Sequence, residues 1–195
     1  MRKKIYIMVS IIVLFSISFG ESPDELLERA KAGDKEAQYE IGFYYYEKNQ
    51  HEKAYKWFKK SALQDVEKSQ NMLGKLYYYG KGVPEDYKKA AYWFEKSADW
   101  GNAESQLYTG HIYYNGMGVT KNIYKAFKYF REAAYNGEGE AQGKVGLMYL
   151  HGIGVEKNKE EARYWFKQCL ENTNTSKTMK INIKELWNKY NLGSY

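Results

Sequence analysis

Residues 69–98 read SQNMLGKLYYYGKGVPEDYKKAAYWFEKSA, and the rest of the chain is organised around this stretch. It describes two short helices joined by a glycine loop. From Gly74 the matching glycines are Gly110 and Gly146, each 36 residues on. From Trp93 the matching aromatics are Trp57, Tyr129 and Trp165, at the same step of 36. A fixed period of this size means stacked helical pairs, none of which buries its apolar face alone.

Each repeat opens with a small residue and a glutamine: Ala37-Gln38, Ser69-Gln70, Ser105-Gln106 and Ala141-Gln142. An apolar-glycine step follows at Ile41-Gly42, Leu73-Gly74 and Val145-Gly146, with Thr109-Gly110 the weaker copy, and a tyrosine comes three residues later. Glycine inside a helix costs about 1 kcal/mol relative to alanine, so its recurrence implies that the partner helix packs against bare backbone there. The loops Gly80-Lys81-Gly82-Val83, Gly116-Met117-Gly118-Val119 and Gly152-Ile153-Gly154-Val155 begin with a glycine suited to a left-handed helix cap. Asp86, Asn122 and Asn158 read as N-caps of the second helices. A phosphate cradle would need the loop between a strand and a helix, ending in Lys-Ser/Thr, so these loops are structural. The first repeat lacks four loop residues and reads with a tight turn at Asn49–His51 instead.

The second helices carry Ala54, Ala90, Ala126 and Ala162, then Trp57-Phe58, Trp93-Phe94, Tyr129-Phe130 and Trp165-Phe166. Small and large residues alternating at spacings of three and four interlock adjacent helices, so these aromatics are expected in the core. Ser22-Pro23-Asp24-Glu25 starts a helix that caps the N-terminal end, and Lys177 to Tyr190 places Met179, Ile183, Leu186, Trp187 and Tyr190 on one face of a closing helix.

The chain has 195 residues, 44% of them hydrophobic, enough for one domain with a continuous core. Arg2, Lys3 and Lys4 followed by an uncharged run to Phe19 read as an export signal ending near Gly20, with an uncleaved anchor as the alternative. No other stretch is able to span a bilayer. Loss of residues 1–20 takes the formal net charge from +6 to +3, with Lys and Glu interspersed, which is not the footprint of a nucleic-acid binder. Cys169 is the single cysteine and falls where Ser61, Ser97 and Ala133 sit in the other units, so it reads as a small buried residue. The organisation expected is a signal peptide over 1–20, a capping helix over 21–34, repeats over 35–66, 67–102, 103–138 and 139–172, and a closing helix over 173–195.

The pattern small-x4-Gly-x2-Tyr-x2-Gly-x-Gly-Val, then Lys-Ala-x2-Trp, resembles the Sel-1-like repeat, a relative of the tetratricopeptide repeat. The resemblance covers residues 37–170 in four copies and implies an all-α, right-handed α/α solenoid that binds other proteins. A secreted, cysteine-rich branch of the family carries a β-lactamase label. This chain lacks the paired cysteines of that branch and has no Ser-x-x-Lys, the core of serine β-lactamases. His51, His111 and His151 occupy three different repeat positions and form no zinc motif.

In tetratricopeptide-like units the first helices line a concave face, with exposed positions three before the glycine and one and four after it. Here these supply Tyr39, Phe43, Tyr46, Asn71, Lys75, Tyr78, Leu107, His111, Tyr114 and Leu147 as candidate partner contacts. Tyrosine beside a few charges suits a peptide or helix, because it offers large contact area at modest entropy cost. The alternative is that several of these tyrosines simply cover neighbouring helices. The expectation is an exported, monomeric scaffold for a protein or peptide, without catalytic, cofactor or metal residues. A β-lactamase-like or peptidoglycan-directed envelope hydrolase is the rival reading, and carbohydrate binding is a third.

Overall fold

The computed structural model describes residues 22–193, and the export segment read over residues 1–20 lies outside them. The described residues form ten α-helices and no strand: α1 (Pro23–Lys31), α2 (Lys35–Glu47), α3 (His51–Ala62), α4 (Glu67–Tyr79), α5 (Tyr87–Asp99), α6 (Ala103–Asn115), α7 (Ile123–Tyr135), α8 (Gly139–His151), α9 (Lys159–Glu171) and α10 (Lys177–Lys189). The all-α expectation holds. The chain divides into two compact units, one ending at Glu85 and one beginning at Asp86.

In the first unit, the Ser22 hydroxyl accepts from the Glu25 amide while the Glu25 carboxylate accepts from the Ser22 amide, a reciprocal cap that starts α1. Leu26 and Ala30 of α1 are buried against Ala37 and Ile41 of α2. The turn between α2 and α3 is the tight one expected, with Asn49 in the left-handed region at φ 56°. Phe58 of α3 is fully buried over Gly42, where a methyl group would lie 2.7 Å from the ring. That close approach is why the position holds glycine despite its helix-breaking cost.

The second unit repeats the device. Phe130 lies against Gly110, where a methyl would be 2.5 Å away, and Phe166 lies likewise against Gly146. Burial of each phenyl ring contributes roughly 1.5–3 kcal/mol. Asp86, Asn122 and Asn158 accept from backbone amides as expected, and Gly116 and Gly152 close α6 and α8 in the left-handed conformation. Cys169 is fully buried in α9. In α10, Ile183 and Trp187 are buried in a cluster with Ala162, Phe166 and Cys169, and Met179, Leu186 and Tyr190 pack around it.

The recurring glutamine has a specific task. Gln38, Gln70, Gln106 and Gln142 each donate through Nε2 to a carbonyl near the end of the preceding helix, those of Ala30, Ala62, Ala98 and Ala134. Each bond adds a side-chain donor to a last-turn carbonyl that also accepts a backbone amide three residues on, and so ties the start of one helix to the end of the one before it. The small residue before each glutamine, Ala37, Ser69, Ser105 or Ala141, is fully buried. Ser69 and Ser105 also donate to Ser61 and Ser97, at 2.7 and 2.8 Å. Asn136 and Asn172 extend the pattern by donating to Oε1 of Gln106 and Gln142.

Candidate binding site

The candidate contacts from the sequence fall on four first helices. On α2, Tyr39, Phe43 and Tyr46 are half-buried. Tyr39 lies 6.2 Å from Phe43 and 5.9 Å from Phe58, and burial among acidic neighbours pushes its hydroxyl pKa up. Tyr46 packs 5.0 Å from His51, beneath the Lys81 ammonium. On α4, Lys75 and Tyr78 keep partial exposure, but Asn71 is only 7% exposed and offers little surface to a partner. Its position turns inward because α4 buries most of its circumference, from Ser69 through Gly74. Tyr39 and Tyr46 thus cover the neighbouring helix α3.

The second unit is different. His111 and Tyr114 of α6 and Leu147 of α8 meet around a cleft of about 190 Å³. Phe130 and Met148, both buried, form its apolar floor; Lys144, His151 and Ile153 complete the rim. His111 stands edge-on to Phe130 at 5.1 Å, and its Nε2 lies 3.2 Å from a carboxylate oxygen of Glu140. This hydrogen bond holds the Glu140 carboxyl below its usual range. Lys144, one turn along α8, has no carboxylate within 4 Å among the described residues. Leu107, also a sequence candidate, packs against the core between α7 and α8 and does not line the cleft.

The cleft coincides with one exchange in the repeat pattern. Thirty-six residues before Phe130 and Lys144 stand Phe94 and Tyr108. There the tyrosine ring lies flat on the phenylalanine, centroids 4.7 Å apart and planes 3° from parallel. At Lys144 the ring is missing, and Phe130 is left open as a floor. Sequence reasoning missed Lys144 because it sits two residues before the glycine, outside the positions taken from tetratricopeptide units. It missed His151 because a histidine near a helix end reads as solvated. The exchange of Tyr108 for Lys144 at the repeat spacing was the available signal.

A second polar cluster lies elsewhere in this unit. Tyr113 of α6 donates to Glu95 of α5 at 2.6 Å, and Lys125 of α7 donates to the same carboxylate oxygen and to the Tyr113 hydroxyl. Burial pulls the Lys125 pKa down, but these hydrogen bonds outweigh it and hold the ammonium well above the usual lysine range. Burial, reinforced by the Glu95 charge, pushes the neighbouring Tyr129 hydroxyl up to about 12. Each group has its partner inside the cluster, which therefore ties α5, α6 and α7 together. Among the described residues, no three His, Cys, Asp or Glu side chains gather as a metal site would require. No helix there is long and apolar enough to cross a membrane.

Fold and site together define a helical-repeat protein with a ligand-sized cleft on its first helices. A Sel1 repeat model matches residues 35–66, 67–102, 103–138 and 139–171, and the chain belongs to the Sel1 repeat family, all-α solenoid scaffolds that typically mediate protein interactions. Among solved structures, it is similar to c5321, a protective antigen of uropathogenic Escherichia coli strains with an SLR fold, at 29% identity and a TM-score of 0.79. That match covers 88% of this chain but only 37% of the E. coli one. A Sel1 repeat protein from Oxalobacter formigenes also matches at 29% identity and a TM-score of 0.75, covering 88% of this chain and 69% of the other. Helicobacter pylori cysteine rich protein B shares the fold at 22% identity and a TM-score of 0.52, over 67% of this chain and 96% of that one. The comparison with curated proteins gives no match.

Proposed function

We propose that the protein is an exported, monomeric repeat scaffold that binds a segment of another protein on the face of its first helices and performs no chemistry of its own. One observation carries this reading: His111, Tyr114 and Leu147, chosen from the repeat pattern alone, line a single cleft with a buried apolar floor. A concave apolar site with a few polar groups at its rim is what recognition of a side chain or ligand requires. Export is supported by the charged and apolar pattern of residues 2–19. The near-balanced charge of the remaining chain supports a protein partner over a nucleic acid.

The test is capture of partners from envelope extract by the chain and by a Tyr78→Ala/Tyr114→Ala double variant, each checked for folding by circular dichroism. A partner held by the first and lost by the folded second supports the reading. Equal capture by both contradicts it, as does turnover of a chromogenic β-lactam that a single substitution abolishes.

A further inference from the structure

We propose that the cleft between α6 and α8 takes one large apolar side chain of an extended peptide whose adjacent residue is Asp or Glu. This rests on the reading of the first-helix face as a peptide-binding surface and specifies the ligand for it.

Size comes first. A cavity near 150 Å³ lined by Leu, Ile and Phe accepts a benzene ring, so a cleft of about 190 Å³ accommodates a Leu, Met or Phe side chain. Its floor and walls, Phe130, Met148, Leu147 and Ile153, offer such a group no polar partner and favour an apolar one.

Charge then selects the neighbour. The carboxylate beside the cleft, Glu140, is already hydrogen-bonded by His111. The Lys144 ammonium at the rim has no carboxylate within 4 Å among the described residues, nor does Lys121, whose ammonium sits 5.8 Å over the Tyr114 ring. His151 lies on the same rim, edge-on to Tyr190 at 5.8 Å. Lys144 is thus the charged side chain among the residues lining the cleft, and the one carboxylate beside it, Glu140, is engaged by His111 and also feels the Lys144 charge one turn along α8. A carboxylate one residue from the anchored side chain reaches Lys144, and a lysine there meets like charge. The selectivity is electrostatic and weakens with added salt.

The test pans a phage-displayed random dodecapeptide library on the full chain. Enriched peptides are then measured by fluorescence anisotropy against the wild type and the Leu147→Ala, Tyr114→Ala and Lys144→Glu variants. The proposal expects enriched peptides with Leu, Met or Phe flanked by Asp or Glu, binding at least tenfold more weakly to Leu147→Ala and to Lys144→Glu. Replacing the peptide's acid by Lys should restore affinity for Lys144→Glu. Peptides that lose binding to Tyr114→Ala and Leu147→Ala but show no acidic preference overturn the proposal and leave the first-helix reading standing. Peptides unaffected by either substitution, or no enrichment at all, overturn both. Melting curves for each variant separate loss of binding from loss of fold.

Discussion

Phe94 with Tyr108 and Phe130 with Lys144 occupy the same places in successive repeats of the second unit, and only the first pair is closed. The Tyr108 ring covers Phe94 at 4.7 Å; Lys144 puts no ring over Phe130, which lines a cleft while staying buried. Both phenylalanines serve the same structural end, filling the space between the helices of their repeat, and both are almost fully buried. The repeat therefore keeps its core phenylalanine constant while one residue of the first helix differs where the cleft lies.

The largest effect comes from removing the shared element. Phe130→Ala and Phe94→Ala should each cost about 3–5 kcal/mol in denaturant unfolding, the first losing the edge-on His111 contact and the second the stacked Tyr108 ring. Tyr108→Ala in each background isolates the stack: a cost that is the same with and without Phe94 would show that the stack contributes nothing. Next is Gly110→Ala, whose methyl would lie 2.5 Å from the Phe130 ring and should destabilise by about 1–3 kcal/mol. The same change at Gly101, with left-handed backbone but nothing within 4 Å of a methyl, tests conformational strain alone.

A smaller effect distinguishes the polar clusters of the two repeats. Lys125 and Tyr129 bind their protons more tightly when folded, so the unfolded chain releases them first as pH rises. The stability Tyr129 contributes is present below about pH 10 and is lost between roughly pH 10 and 12, on the order of 2 kcal/mol, while that of Lys125 persists to higher pH. Glu95→Gln should shallow this alkaline loss, followed by thermal melting across that range. Arg131 and Glu161, 36 residues on, carry the opposite charges. There Arg131 lies over Phe127 and Tyr149 meets the same ring edge-on, 5.3 Å away. Glu161→Gln should therefore leave the alkaline profile unchanged.

The fold was legible because its determinants recur. Gly42, Gly110 and Gly146 meet Phe58, Phe130 and Phe166, and a contact repeated at fixed spacing announces itself in one dimension. The glutamines were visible as a pattern, though their bonds to carbonyls of the preceding helix needed coordinates. The site was half legible. His111, Tyr114 and Leu147 lie at positions any repeat of this kind would expose, whereas Lys144 matters by being smaller in cross-section than the ring it replaces. Asn71, at an expected contact position, is buried because almost every face of α4 is covered. Burial of this kind depends on neighbours that a repeat pattern does not specify.

The most direct test restores the missing ring. Lys144→Tyr should stack on Phe130 as Tyr108 does on Phe94, changing stability by less than about 1 kcal/mol while filling the cleft. Titrating a library-derived peptide by fluorescence anisotropy should then show at least a tenfold loss of affinity with a melting temperature no lower than the wild type's. A Lys144→Tyr protein that melts like the wild type and binds the peptide equally well would contradict the account, because the cleft would be closed and binding would continue without it.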